Sequence, residues 1–348
     1  MSGEHWKQRP EGGSPFALRV LRAIARHGGR GLARLCLYPI TAYFVLVRGP
    51  ERRASRAYLA RALDRAPGLW DVARHIHTFA ATILDRLFML GGQMHYFDVR
   101  VSGLDELRAQ HARGGALIFG SHLGSFEALR VLARSAPEVQ VRVVFDKSHN
   151  PAMTQLLDSL DPRIAAGVID AGQDGPAIVL AVKQALDEGA LVALLVDRAR
   201  PGEPWLRTPF LGAPAPFPLA PWLVAATLKA PVLLAFGLYR GGARYDLVFE
   251  PFSDGSAIAR QDRARVLATM VERYAARLQH HACDAPYNWF NFYDFWHADD
   301  AVQDSTAQDS TAHDGLAHDG IAPDDPAAPL GLGAGAGLRR RLAVRRSA

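Results

Sequence analysis

The chain has 348 residues, 49% of them hydrophobic and 22% charged, a size and balance that suit one large core or two modest ones. Its two cysteines, Cys36 and Cys283, exclude a disulfide framework and a cysteine-based metal centre, which makes a reducing compartment the default. The net charge of +5 is uneven: residues 1–61 hold twelve Lys/Arg against three Glu, residues 299–348 hold five Arg against eight Asp, and the middle is near neutral. The basic excess therefore belongs to an N-terminal arm and argues against a nucleic-acid-binding body.

Met1 to Ser14 is polar, with Glu4, Lys7, Arg9 and Glu11, and does not read as a signal peptide. In "FALRVLRAIARHGGR" the arginines at 19, 22, 26 and 30 fall on one helical face. The uncharged run Leu35–Val47 that follows has 13 residues and carries Pro39 in its middle. A spanning helix needs about 20 residues, so 1–50 reads as an arm that attaches to a membrane surface. The competing reading is a pair of core helices with a solvated charged face.

Residues 51–97 have a helical pattern broken at Pro67-Gly68. From Asp98 the period changes to that of strands: "FDVRVSG", "GALIFG", "VQVRVVFD", "AGVID", "ALVALLVD", "APVLLAFGLY" and "RYDLVFE". Helical stretches near 125–135, 151–160, 176–188, 217–229 and 258–281 lie between them, which predicts an α/β fold with a sheet covered by helices. After His297 a degenerate repeat of Ala, Asp, Gly, Ser and Thr lacks the apolar content for a core. The expected layout is thus an arm (1–50), a globular domain (51–297) and a disordered tail (298–348).

The stretch "FGSHLGSFE", Phe119 to Glu127, leaves an apolar strand and leads into a helical pattern. On one continuous helix His122 and Glu127 would not face each other, so they converge only if the chain turns at Gly124-Ser125. Ser125 then caps the helix, and His122 stands at the C-terminal end of a strand, where open α/β sheets place ligands. An imidazole oriented by the Glu127 carboxylate would serve as a general base. The central residue of "GSHLG" is His122, so this is not a serine-nucleophile elbow. The plain alternative is an exposed turn.

"HLGSFE" resembles the His-x4-Asp/Glu motif of the lysophospholipid acyltransferase superfamily, in the glutamate form of the late acyltransferases of lipid A biosynthesis. The similarity runs from about Trp6 to Trp296 and includes "NPAMTQLLDSLDPR", which points to Arg163, and "ALDEGALVALLVDR", which points to Asp197. "TPFLGAPAPFPLAPWLVAATLKAPVL" also resembles a family segment. Arg198 stands where the family has the Gln of an Asp-Gln pair, and "YNWFNFYDFW" replaces a C-terminal stretch with a basic pair. "WKQRPEGGSPFAL", Trp6 to Leu18, and "YNWFNFYDFW" instead resemble a divergent branch found with aryl-polyene or xanthomonadin-type pathways.

The resemblance implies a glycerol-3-phosphate acyltransferase-like mixed sheet flanked by helices, with an N-terminal helical membrane-associating region. It implies acyl transfer from an acyl-carrier protein or acyl-CoA thioester to a membrane lipid or glycolipid, at the cytoplasmic side of the inner membrane. His122 and Glu127 would be the catalytic dyad. Arg163, Asp197 and Arg198 would bind substrate, and the Gly124 and Ser125 N–H groups would receive an oxyanion or phosphate. No nucleotide loop or metal-ligand spacing appears, so no cofactor is expected. An acyl-binding protein without catalysis and a thioester hydrolase are the rival functions. The aromatic cluster Tyr287–Trp296 would line an acyl groove or cover the core.

Overall fold

The computed structural model describes residues 28–131, 138–147, 167–199 and 203–296. Among these, seven strands form one sheet: β1 (Asp98–Ser102), β2 (Ala116–Gly120), β3 (Val141–Phe145), β4 (Val168–Asp170), β5 (Leu191–Leu195), and then the long pair described below. A two-stranded ribbon, β6 (Trp205–Phe210) and β7 (Ala213–Pro218), stands apart from it. The long strands β8 (Val232–Gly241) and β9 (Arg244–Ser253) form an antiparallel hairpin; every other pairing in the sheet is parallel. The strand order is β1-β9-β8-β2-β5-β3-β4.

The continuous apolar character of "ALIFG" and "LVALL" follows from burial on both faces. Strand side chains alternate between faces. Leu117, Phe119 and Val192 thus join a core with α5 (Gly175–Asp187), α6 (Ala220–Leu228) and α7 (Arg263–Asp284). Ile118, Leu191 and Ala193 face the other way, toward Leu107 of α4 (Leu104–Arg113). The α/β expectation is met. The helix α4 and the ribbon are additions to the sequence-based reading, and residues 151–160 and the tail 298–348 lie outside the described residues.

The N-terminal helices sit on the same body. Residues 28–35 are helical, followed by α1 (Leu37–Val47), α2 (Gly49–Ala62) and α3 (Leu69–Leu90). Arg30 makes a bidentate ion pair with buried Asp85 (2.8 and 2.9 Å), and Thr41 meets His77 at 3.2 Å, so α1 runs antiparallel to α3. Leu37, Thr41 and Val45 are buried against it. By length and composition Gly28–Val47, 20 residues, is long and apolar enough to cross a membrane. That stretch exceeds the 13-residue run because it includes helical residues before Leu35.

Buried in this helical layer, His75 accepts or donates at both ring nitrogens: Nδ1 lies 2.8 Å from Ser55 Oγ and Nε2 lies 3.0 Å from the Trp289 carbonyl. Burial lowers its pKa to about 4, against the opposing pull of the carbonyl. The unfolded chain binds that proton below about pH 6.5. A histidine with a depressed folded pKa contributes stability that is intact above the unfolded value and lost as pH falls toward the folded one. We expect unfolding free energy to drop by about 3 kcal/mol between pH 6.5 and 4 from this group. Urea denaturation across that window checks it: His75→Gln should flatten this component of the slope, and an unchanged slope would assign it elsewhere.

Candidate active site

The site is built by register. Strands β2 and β5 are parallel neighbours with Gly120 paired to Leu195. Two residues beyond each of these partners stand His122 and Asp197. The two side chains therefore emerge at one sheet edge, and His122 Nδ1 lies 2.8 Å from Asp197 Oδ1. The His122 backbone N–H donates to Asp197 Oδ2 at 3.0 Å, and the Trp289 indole N–H donates to the same oxygen at 2.9 Å. Asp197 is fully buried, whereas His122 keeps 36% of its side-chain surface open.

The protonation states follow from these partners. Burial would raise the Asp197 pKa, but His122, Arg198 and the Trp289 N–H together hold it well below the usual carboxylate range. Burial, together with the positive charge of Arg198, lowers the His122 pKa, while Asp197 pulls it the other way. The pair thus rests as a carboxylate and a neutral imidazole. An ionised carboxylate only accepts, so Nδ1 carries the ring proton and Nε2 keeps the free lone pair. A tautomer fixed in this way is what a general base requires.

Gly124 makes the turn that lets the chain leave the strand. Its φ is +70°, and a Cβ there would lie 1.9 Å from the Gly237 carbonyl oxygen, so only glycine fits. The predicted N–H roles do not survive this geometry. Gly124 N–H donates to the Asn288 carbonyl (2.8 Å) and Ser125 N–H to the Gly237 carbonyl (2.7 Å), so neither amide is free for an oxyanion or phosphate.

The predicted partnership of Glu127 with His122 also gives way. Glu127 lies in a 3-10 turn, Phe126–Val131, and pairs with Arg86 of α3 at 2.7 Å, an ion pair in which the Arg86 Nε–H is not aligned as a hydrogen bond. Its other oxygen accepts from Ser125 Oγ at 3.1 Å. The carboxylate on His122 Nδ1 is Asp197, because strand pairing delivers it there while Arg86 draws Glu127 aside.

Arg198 donates through Nη2 to the Phe290 carbonyl at 2.6 Å, and its guanidinium lies 5.4 Å from the Tyr293 ring centroid. It is close enough to bias His122. Arg163 lies outside the described residues. Sequence reasoning missed Trp289 as a partner of Asp197; the signal available was a tryptophan inside the aromatic cluster. In the structure Trp289, Phe295 and Trp296 are core residues.

Among the described residues no cluster of three His, Cys, Asp or Glu is placed to hold a metal ion. Residues 77–296, well over half of the chain, match the model of a family described as bacterial lipid A biosynthesis acyltransferase. That span includes His122, Glu127, Asp197, Arg198 and Trp289 and begins just after His75. No curated protein matches the chain.

Proposed function

The chain belongs to the bacterial lipid A biosynthesis acyltransferase family, whose activity is acyl transfer with a lipid acceptor, and on that premise we propose that it moves a fatty acyl group from a thioester to a hydroxyl or amine of a membrane lipid or glycolipid. The donor is an acyl-carrier-protein or coenzyme A thioester. The observation that carries the reading is His122 with its Nδ1–H on Asp197 and its Nε2 unclaimed among the described residues, at the strand ends where α/β sheets bind ligands.

His122 Nε2 takes the proton of the acceptor group as its oxygen or nitrogen attacks the thioester carbonyl. Asp197 stabilises the imidazolium that forms. Collapse of the tetrahedral intermediate breaks the C–S bond, and the imidazolium returns the proton to the departing thiolate. Arg198, beside His122, supports the developing negative charge or holds an anionic group of the substrate. Arg163 is a second candidate for that anionic group. The Glu127–Arg86 pair braces the turn from below.

The acceptor we favour carries at most one anionic group. The segment Tyr287–Trp296, where the family resemblance places a basic pair, has no basic residue, which weakens the electrostatic grip on a multiply anionic sugar. The family description favours a second reading, a lipid A precursor as acceptor. Purified protein offered both acceptors with each thioester, and product read by mass spectrometry, separates them. Acylation of the less charged lipid is expected to be faster; acylation of the lipid A precursor alone would return the chain to the family's usual substrate. Thioester cleavage without an acceptor would mark a hydrolase.

We place the protein on the cytoplasmic face of the inner membrane, with residues up to about 50 as the attaching segment and 51–297 as the catalytic body. One face of α1 is buried on α3, and the opposite side of α1 and of the helical residues before it exposes Leu32, Leu35, Tyr43 and Leu46, the last at 73%. The antiparallel packing puts the end of α1 near the start of α3, where Trp70 is 82% exposed. An apolar face with aromatic residues at its end suits a lipid surface. The double substitution Leu46→Glu and Trp70→Glu should release full-length protein from sedimented membranes with its thermal midpoint retained; unchanged sedimentation would count against this surface.

A further inference from the structure

Trp289 is wholly buried, yet it does more than fill space. An indole has one donor, and this one goes to Asp197 Oδ2 at 2.9 Å, leaving Oδ1 for His122 Nδ1. The backbone beside it is tied to the base. Leu123 and Trp289 form an antiparallel bridge, Phe290 N–H donates to the His122 carbonyl at 3.0 Å, and Gly124 N–H donates to the Asn288 carbonyl. The Asn288 side chain clamps Tyr239 of β8 in both directions, accepting from its N–H at 2.7 Å and donating to its carbonyl at 3.1 Å.

The support continues outward into the helices. The Trp289 carbonyl accepts from His75 Nε2, and a carbonyl cannot donate, so His75 carries its proton there. Its Nδ1 must then accept from the Ser55 hydroxyl. Ser55 of α2 and His75 of α3 are both fully buried, and both precede the family-matched span. A buried polar chain whose members are all paired holds one geometry, because any displaced member leaves a donor or acceptor unpaired.

We propose that Trp289 is a positioning residue for acyl transfer: its indole N–H aims Asp197 at His122, and Ser55 and His75 fix the backbone from which it does so. This rests on the reading of His122 and Asp197 as the base and its orienter.

The test uses the full-length protein with lauroyl-coenzyme A and whichever acceptor above supports turnover. Trp289 is replaced by its benzothiophene analogue, which has sulfur in place of N–H at nearly the same volume, and separately by Phe. Each is made alone and together with Asp197→Asn. The analogue should keep its thermal midpoint, lower kcat about tenfold and leave the thioester KM within about twofold, as loss of one hydrogen bond to a charged group predicts. Added to Asp197→Asn it should cost little more, because both act through one carboxylate. Turnover of the analogue within twofold of wild type, with Asp197→Asn impaired, would overturn the role of Trp289 and leave that of Asp197 standing. A loss that multiplies that of Asp197→Asn would also overturn it. Full activity of Asp197→Asn itself would bring down the underlying reading and this inference with it.

Discussion

His122→Ala is expected to lower acyl transfer by two or more orders of magnitude, the range that removal of a general base produces. Its ring is partly open to solvent, and the backbone groups that hold the loop remain: the N–H on Asp197 and the carbonyl under Phe290 N–H. The variant should therefore fold, with a circular dichroism spectrum and thermal midpoint close to wild type. Steady-state thiol release in the presence of acceptor measures the loss. Near-normal turnover in a folded variant would remove His122 from the mechanism.

Asp197→Asn should be almost as damaging, with kcat reduced by about two orders of magnitude and the thioester KM little changed, the pattern of a group needed by the base. The carboxylate accepts from three donors: His122 Nδ1, His122 N and Trp289 Nε1. An amide cannot serve all three. If its oxygen faces Nδ1, its NH2 collides with two N–H groups. If its NH2 faces Nδ1, the ring must accept there, and the proton moves to Nε2, where it blocks base chemistry. The negative charge that would stabilise the imidazolium is lost in either case. Glu127→Gln, by contrast, should cost about tenfold or less, because Glu127 meets Arg86 and Ser125 and not the ring. Equal losses in the two variants would restore the His122–Glu127 pairing as the functional one.

The comparison of these two carboxylates shows how far the residues could be read in order. The α/β architecture was legible because each strand of the main sheet carries its own apolar or alternating pattern, and so was the location of His122 and Asp197 at strand ends. Which carboxylate meets the imidazole was not. Glu127 is five residues from His122 and attracts local reasoning, whereas Asp197 is brought in by the pairing of Gly120 with Leu195, a register that no local pattern encodes. Trp289 is remote in the same way. The β6–β7 ribbon was hidden by Pro209, Pro214 and Pro216, which lack the ladder donor. A two-stranded ribbon can leave such positions unbonded, and its turn at Leu211-Gly212, with φ of +49° and +78°, has the left-handed pair that favours a tight hairpin. Helix α4 did carry markers at its ends, Gly103 and Gly114, both at positive φ.

The pH dependence of kcat/KM for the wild-type protein tests the central claim most directly. Burial, with the charge of Arg198, lowers the His122 pKa from its ordinary value near 6.5, and the base works only when neutral. Activity should therefore rise with pH through an apparent pKa below 6.5 and be level by pH 7. An acidic limb centred above 6.5 would mean that Asp197 holds the imidazole in its protonated form in the free enzyme, and would contradict a neutral His122 poised to take the acceptor's proton.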